Sequence, residues 1–254
     1  MLPEPIFLNV HMYGVMVAIG ILCAFAILLW LCRKKQIDSK FADFLFYNSL
    51  ISIAVGFCFA ALFQAVYDYI KNPASGFCFN GGLTFIGGLI GGVVCFLSIY
   101  FIFREKYVTR LYSVISILPC SILIAHAFGR IGCFFAGCCY GKETNFFIGV
   151  VFPGLTHPVH PTQLYEAAFL FLLFAVCIYF VTKKDFKYNL LLYLVAYGVF
   201  RFLIEFIRDD DRGSFIGTLT PSQFWSVIMV FSGICVFFVT KKINRRMEQN
   251  EEIY

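Results

Sequence analysis

The sequence predicts an all-α integral membrane protein with seven transmembrane helices, an N-terminus outside and a C-terminus in the cytoplasm. The chain of 254 residues is 60% apolar and only 14% charged, whereas about a quarter of the residues are charged in soluble domains. Its apolar residues fall in seven runs, each near the roughly 20 residues that cross a bilayer as a helix. Its basic residues are concentrated in loops that all lie on the same side of the membrane if the chain crosses it seven times.

The seven predicted spans follow one another through short loops, which favours a single membrane domain over residues 1–254. The first span begins without a basic segment or a cleavage site, so we expect no cleavable signal peptide. The spans cover residues 11–32, 41–69, 82–103, 111–128, 164–182, 188–207 and 221–240.

The basic loops set the predicted orientation. Loops 33–40, 104–110, 182–187 and 241–246 hold four, three, three and four basic residues, which is 14 of the 20 in the chain. Because Lys and Arg are enriched in cytoplasmic loops, these four loops are predicted to face the cytoplasm. The formal net charge of +5 lies mostly in them, so it predicts no nucleic-acid partner.

Four of the eleven cysteines, Cys78, Cys133, Cys138 and Cys139, lie outside the apolar runs. The other seven are expected to pack as small apolar residues. For the four, the spacing leaves open a disulfide, a zinc site with His126 or His160, and simple packing in a turn. Packing is the preferred interpretation, and we expect neither a cofactor nor a metal.

Ionisable and polar residues collect where the fourth span ends, the fifth begins and the sixth ends, all at the predicted outer face. Ionisable groups within spans cost about 2.5–3.5 kcal/mol each and usually mark function. This concentration predicts an active-site region around residues 129–166. The residues are Arg130, His160, Gln163, Tyr165, Glu166, Arg201, Glu205 and Arg208.

Arg201, Glu205 and Arg208 have the spacing i, i+4 and i+7, which places them on one face of a helix. Glu205 can neutralise either arginine, and Glu166 can pair with another. Ion pairs that tie helices together, or arginines that reach the lipid headgroups, are the alternative to a binding site.

Glycines accompany these residues. Gly129, Gly132, Gly137 and Gly141 surround Arg130 and would let backbone approach a ligand closely. Doubled glycines recur at 81–82, 87–88 and 91–92, where they favour either tight helix packing or a helix break whose N–H groups face an anion. Tyr13 opens the first span, as an interfacial aromatic residue or a substrate contact.

Together these features predict a phospholipid site at the outer leaflet. A guanidinium group fits two phosphate oxygens at once, and the phosphate available at this depth belongs to a lipid headgroup.

The chain resembles the bacterial prolipoprotein diacylglyceryl transferase family. The resemblance rests on five motifs in family order, HMYG at 11–14, GGLTFIGGLIGG at 81–92, GRIGCFFAGCCYG at 129–141, HPTQLYE at 160–166 and RFLIEFIR at 201–208. It implies transfer of a diacylglyceryl group from phosphatidylglycerol to a lipobox cysteine thiol of a prolipoprotein, with release of glycerol-1-phosphate. It also implies a multi-pass protein of the bacterial cytoplasmic membrane.

The resemblance also implies residue roles. Arg130 and Arg201 would hold the headgroup phosphate, and Glu166 would fix an arginine. Together with His126 they form the predicted catalytic set. The predicted substrate-binding residues are Tyr13, Gly87, Gly88, Gly129, His160, Gln163, Tyr165, Glu205 and Arg208.

The chain departs from the family pattern at two places. Ile86 stands where the family usually has a histidine, a candidate base for the thiol, and Cys133, Ala136 and Cys138 replace two amides and a carboxylate. His126 lies one helical turn before Arg130 and could take the proton, although a buried histidine with satisfied hydrogen bonds is the simpler interpretation.

These departures leave three alternatives to the family reaction. A different acceptor or a phospholipid-binding protein without catalysis would retain the phosphate site. A transporter is disfavoured, because the charges lie at one face and no inverted repeat is visible.

Overall fold

The structure is a computed structural model that describes residues 11–73, 76–79, 82, 84–107, 111–184, 186–209 and 219–251, without the side chains of 71, 85, 86 and 243–251. Within these residues seven long helices follow one another, and outside the helices only isolated β-bridges occur. The helices are α1 (Met12–Lys34), α2 (Ser39–Lys71), α3 (Phe85–Phe103), α4 (Leu118–Ala136), α5 (Thr162–Lys183), α6 (Asn189–Ile204) and α7 (Pro221–Glu251).

All seven helices are long and apolar enough to cross a membrane. The predicted fold class and number of spans are therefore confirmed, and the protein is a multi-pass membrane protein. Which end of each helix faces the cytoplasm stays a prediction, as does the single domain. Some predictions concern residues or side chains outside the described part of the chain, namely Gly81, Arg110 and the side chains of Ile86, Arg245 and Arg246.

The fourth helix lies further along the chain than its apolar run suggested. The run predicts a span over 111–128, but α4 covers Leu118–Ala136, after a short 3-10 turn at Leu111–Val114. Pro119 lies in the first turn of α4, where proline is favoured because the N–H that it lacks has no helical partner. Of the glycines around Arg130, Gly129 and Gly132 are therefore helical, and the turn after α4 begins only at Gly137.

The chain divides into two compact units. The smaller unit, Cys32–Ser113, consists mainly of α2 and α3. The larger unit combines Met1–Leu31 with Val114–Tyr254 and contains most of α1 together with α4 to α7. All residues of the predicted site except Gly87 and Gly88 belong to the larger unit.

In the smaller unit, the glycines of α3 pack against α2. A Cβ atom on Gly87 would lie 2.6 Å from Cβ of Phe63, and one on Gly88 would lie 3.3 Å from the backbone oxygen of Gly56. Helix α3 is continuous from Phe85 through both glycine pairs. Of the two alternatives, tight packing is therefore present at Gly87 and Gly88, and no break occurs between residues 87 and 92. The substrate-binding role of Gly87 and Gly88 stays a prediction.

In the larger unit, α5 packs against α4 and α6, and α6 packs against α7. Helix α7 begins with a capping box: the N–H of Thr220 donates to Oε1 of Gln223 at 3.1 Å, and the N–H of Gln223 donates to Oγ1 of Thr220 at 3.2 Å. Such reciprocal bonds satisfy two N–H groups that have no partner within a helix. They fix the start of α7 beside the end of α6.

Candidate active site

The candidate active site lies where α4 ends, α5 begins and α6 ends. At the start of α5, Thr162, Gln163 and Glu166 have no exposed surface. At the end of α6, Arg201, Glu205 and Arg208 are each less than 10% exposed. Since buried polar groups must pair, their contacts define the site.

Glu166 is the centre of the first group of contacts. Its Oε1 lies 3.0 Å from Nε of Arg130 and 2.5 Å from the hydroxyl of Tyr197. Nε2 of His126 lies 3.8 Å from the same oxygen and 3.3 Å from the Tyr197 hydroxyl. Among the described residues, Oε2 of Glu166 has no hydrogen-bond partner. The predicted pairing of Glu166 with an arginine is thus present, and the arginine is Arg130.

Arg130 reaches Glu166 from the last two turns of α4. The side chain of Arg130 keeps 20% of its surface exposed, whereas that of Glu166 is fully buried. The contact is an ion pair without hydrogen-bond geometry, because Nε of Arg130 has no hydrogen-bond partner among the described residues. The carboxylate therefore faces one edge of the guanidinium, and the exposed part of the side chain is accessible to an anion.

Glu205 is the centre of the second group of contacts. Its Oε2 lies 2.7 Å from NH1 of Arg201 and 3.8 Å from Nε of Arg208. Its Oε1 accepts a hydrogen bond of 2.9 Å from Thr220, and NH2 of Arg201 donates to Ser222 at 2.8 Å. This group ties the end of α6 to the start of α7.

Only part of the predicted helix face at 201–208 is present. The α-helix ends at Ile204, Glu205–Ile207 form a 3-10 turn, and Arg208 has an extended backbone. The pair Arg201–Glu205 keeps its i, i+4 contact, but Arg208 reaches Glu205 from beyond the helix. The change of backbone at Glu205, which the spacing alone did not reveal, turns the chain toward the loop after α4.

The two groups of contacts are coupled electrostatically through the charge of Glu166. Arg130, His126 and Arg201 all lie close enough to Glu166 to interact with its charge. The ring of His126 also packs edge to face on Tyr197, with centroids 4.8 Å apart. Two guanidinium groups from different helices therefore act on one buried carboxylate.

The loop after α4 is held against α5 and α6. The N–H of Gly141 donates to the backbone oxygen of His160 at 2.8 Å, and the N–H of Lys142 donates to that of Ile207 at 2.8 Å. Oγ1 of Thr162 donates to the backbone oxygen of Cys139 at 2.7 Å, and Gln163 donates to that of Cys138. The amide of Gln163 thus supports the loop, and its Oε1 has no partner among the described residues.

The remaining predicted residues lie around this core. Nδ1 of His160 and the hydroxyl of Tyr165 are 3.1 Å apart, which couples these two predicted contacts. The side chain of Tyr13 is 42% exposed and lies against Gly132, where an added Cβ would come within 3.1 Å of the ring. A Cβ on Gly129 would meet nothing within 4 Å, so the surface beside this glycine is open.

Three cysteines form a cluster beside the arginines. The sulfur atoms of Cys133, Cys138 and Cys139 all lie within 4.8 Å of one another, and all three are free thiols. Hydrogen bonds from Cys133, Cys138 and Arg208 to the Cys139 sulfur hold the pKa of the Cys139 thiol below its usual range, against the opposing effect of burial. The disulfide that the spacing left open as an alternative is therefore not formed by these cysteines.

Sequence reasoning missed Tyr197, Ser222 and Thr220. Tyr197 precedes Arg201 by four residues and so shares its helix face, which is the signal that could have found it. Thr220 and Gln223 have the spacing of a capping box before an apolar run. Ser222 carries no such signal, because its contact with Arg201 joins two helices.

Comparisons with known proteins find relatives over nearly the whole chain. Residues 4–239 match the family model described as prolipoprotein diacylglyceryl transferase. A relative from Clostridium tetani, named phosphatidylglycerol–prolipoprotein diacylglyceryl transferase, is 34% identical over 244 residues, which cover 92% of this chain and 94% of that protein.

Two further relatives carry the same name, the first with the suffix 2. One from Clostridium perfringens is 30% identical over 94% of this chain and 94% of its own length. One from Stenotrophomonas maltophilia is 29% identical over 92% of this chain and 89% of its own length.

Proposed function

The chain belongs to the prolipoprotein diacylglyceryl transferase family, and we propose that it is a transferase that moves a diacylglyceryl group from phosphatidylglycerol to a prolipoprotein. The acceptor is a cysteine thiol. Its sulfur forms a bond to the glyceryl carbon, the bond from that carbon to the phosphate oxygen breaks, and glycerol-1-phosphate leaves. The thiol proton passes to water in the same reaction.

The single observation that carries this proposal is the ion pair of Arg130 with Glu166. The pair fixes Nε of Arg130 at 3.0 Å from the carboxylate while the side chain stays partly exposed. A preorganised cation of this kind stabilises charge that develops on a leaving phosphate, which is commonly worth several kcal/mol. Arg130 therefore binds the headgroup phosphate through the exposed part of its guanidinium.

Arg201 contributes mainly through its charge. Both of its terminal nitrogens already donate, to Glu205 at 2.7 Å and to Ser222 at 2.8 Å. Its electrostatic interaction with Glu166 adds a second positive group behind Arg130. Glu205 and Arg208 complete this arrangement, because they hold Arg201 and the loop after α4 in register.

His126 is assigned to positioning. Its Nε2 faces Glu166 and the Tyr197 hydroxyl at 3.8 and 3.3 Å, so this nitrogen serves the buried contacts rather than an acceptor. Tyr13, Gly129, His160 and Tyr165 border the open side of Arg130 or the loop beside it, and they shape the path of the substrates. The alternative is that His126 acts directly as a base, and a substitution of His126 can distinguish this role from positioning.

The test uses the full-length protein in liposomes that contain phosphatidylglycerol labelled in its diacylglyceryl part. A peptide with the acceptor cysteine is added, and the same peptide with serine in its place is the control. Labelled cysteine peptide together with glycerol phosphate supports the proposal. Glycerol phosphate without labelled peptide indicates another acceptor, and neither product indicates a phospholipid-binding protein, so both outcomes contradict it.

The proposed location is the bacterial cytoplasmic membrane, with Arg130 at the outer leaflet. Phe147, in the loop after α4, is 86% exposed, and Lys242 lies near the far end of the span in α7. In intact cells, a thiol reagent that cannot cross membranes should modify Phe147→Cys and spare Lys242→Cys, as read by mass spectrometry at each residue. The opposite labelling would reverse the orientation.

A further inference from the structure

Three thiols converge in the cysteine cluster, which is one more than a disulfide requires and is not explained by packing alone. Cys133 lies in the last turn of α4, and Cys138 and Cys139 lie just beyond its end. Their three sulfur atoms come within 4.8 Å of one another. A disulfide would use two of these sulfur atoms and leave the third without a function.

Backbone hydrogen bonds hold the turn that carries this cluster. Gly137 ends α4 with φ +70°, and the N–H groups of Gly137 and Cys138 donate to the backbone oxygens of Phe134 and Cys133 at 3.1 and 3.2 Å. These two bonds form the Schellman motif that commonly terminates helices. The chain therefore reverses direction within two residues and brings Cys138 back over Cys133.

Two buried residues of α5 hold the other side of the turn. Gln163 donates to the backbone oxygen of Cys138, and Thr162 donates to that of Cys139; neither side chain is exposed. Cys139 itself has φ +67°, a conformation that costs a residue with a side chain about 1 kcal/mol or more. The surrounding bonds thus maintain a strained backbone that points a third thiol into the cluster.

We propose that Cys133, Cys138 and Cys139 bind one Zn²⁺ ion through their three sulfur atoms. A tetrahedral Zn²⁺ with bonds of about 2.3 Å to sulfur places its sulfur ligands roughly 3.8 Å apart. Rotation of the three side chains about their Cα–Cβ bonds shortens separations of up to 4.8 Å toward this value. Thiolates are also the ligands for which Zn²⁺ has a strong preference over harder cations.

The charges around the cluster favour such a centre. Three thiolates and one Zn²⁺ carry a net charge of −1. The guanidinium of Arg208 donates a hydrogen bond to the sulfur of Cys139, and Arg130 lies close enough to Cys133 and Cys139 to interact with their charge. Hydrogen bonds and charges of this outer layer stabilise metal-bound thiolates.

Three protein ligands leave the fourth position of Zn²⁺ open, and Cys138 is exposed. If the acceptor is a thiol, as the proposed function states, its sulfur occupies this position. A thiol that coordinates a metal loses its proton, here to water, and the bound thiolate is then the nucleophile that forms the new bond to the glyceryl carbon. Zn²⁺ keeps its charge throughout, and the phosphate departs toward Arg130.

Metal binding is tested on the reduced, full-length protein in detergent, without oxygen. Added Co²⁺, which reports thiolate ligands by a charge-transfer absorption band, should give this band, and added Zn²⁺ should remove it at one ion per chain. Each of Cys133→Ser, Cys138→Ser and Cys139→Ser should lose the band and weaken Zn²⁺ binding by at least about tenfold. The matched controls Cys58→Ser and Cys235→Ser replace exposed cysteines of α2 and α7 and should change neither.

Alkylation of the wild-type protein guards against variants that fail to fold. Zn²⁺ should protect Cys133, Cys138 and Cys139 from iodoacetamide and leave Cys58 and Cys235 reactive. No Co²⁺ band in the wild type, or equal Zn²⁺ binding by the cysteine variants and the controls, would overturn the site. A disulfide within the cluster that re-forms after reduction while Zn²⁺ is present would overturn it as well.

The role of the metal is tested by transfer activity. Chelated protein should transfer at least about tenfold more slowly than the same protein with Zn²⁺ restored. Equal transfer rates with and without Zn²⁺ would show that the metal does not activate the acceptor thiol. The Zn²⁺ site itself would still be supported by the metal-binding results. If no form of the protein transfers lipid although Zn²⁺ binds, the proposed function fails and the metal site stands.

Discussion

The hydroxyl of Tyr197 lies 2.5 Å from Oε1 of Glu166, the carboxylate oxygen that also faces Nε of Arg130 at 3.0 Å. One buried oxygen thus receives a hydrogen bond from α6 and an ion pair from α4. The guanidinium that we assign to the phosphate is positioned by a phenol on a different helix.

Replacing Tyr197 by phenylalanine tests this link. A hydrogen bond to a charged group contributes about 1.5–3 kcal/mol, so we expect Tyr197→Phe to lower the melting temperature in detergent and to reduce kcat about tenfold. Tyr179→Phe, which changes a 52% exposed tyrosine of α5, should alter neither value. Unchanged kcat in Tyr197→Phe would separate this tyrosine from catalysis.

The proposed contact of Arg130 with phosphate predicts that lysine cannot replace it. Lysine keeps the charge but lacks the planar fork that binds two oxygens at once. We expect Arg130→Lys to reduce kcat/KM for phosphatidylglycerol about 100-fold, comparable to the loss of one transition-state donor. Arg33→Lys, at the end of α1, is the control, and a similar loss in both variants would remove the assignment.

The pair of Arg130 with Glu166 is expected to contribute both to stability and to catalysis, and two variants can separate these contributions. Glu166→Gln leaves a mostly buried arginine without its counter-charge, and breaking such a pair commonly costs about 3–5 kcal/mol. We expect the double variant Arg130→Met/Glu166→Gln to regain much of the melting temperature and to stay inactive. Recovery of activity in the double variant would show that neither charge acts on the substrate.

His126 distinguishes positioning from base catalysis. A glutamine can still donate to Glu166, so His126→Gln should retain most of the wild-type kcat and leave the pH profile of kcat unchanged. A base role predicts the loss of one ionisation from that profile. Measuring kcat across the pH range for the wild type and His126→Gln decides between them.

Gly141 is expected to tolerate no side chain. A Cβ atom there would lie 2.5 Å from the backbone oxygen of Ile207 and 2.8 Å from Cγ2 of Thr162, and such overpacking commonly costs about 1–3 kcal/mol. Gly141→Ala should therefore lower the melting temperature. Gly14→Ala, where an added Cβ meets nothing within 4 Å, is the control and should not.

The features that the sequence revealed are local in the chain. Apolar runs of sufficient length identify the seven spans, and the spacing of Arg201 and Glu205 predicts a contact that one helical turn produces. The motif at 129–141 likewise contains both Arg130 and the three thiols. Such signals need only the helix period and the cost of polar groups in lipid.

The features that the sequence did not reveal depend on how the helices pack against one another. The partner of Glu166 could have been any arginine of the site, and the choice of Arg130 follows from the packing of α4 on α5. Helix α4 extends past its apolar run because its last turns pack against protein, so Gly129 and Gly132 need no turn. The convergence of Cys133 with Cys139 depends on Gly137 and on two donors from α5, which no spacing encodes.

The hydroxyl of Thr220 serves two partners, since it donates to Glu205 at 2.9 Å and accepts from the N–H of Gln223 at 3.2 Å. Fraying at the first turn of α7 and the electrostatic balance of Arg201 are therefore linked equilibria. By reciprocity of linkage, a phospholipid that shifts Arg201 in the proposed site would also change how tightly α7 is wound at its start, and the proposed site would then be coupled to a second helix that the phosphate itself need not touch.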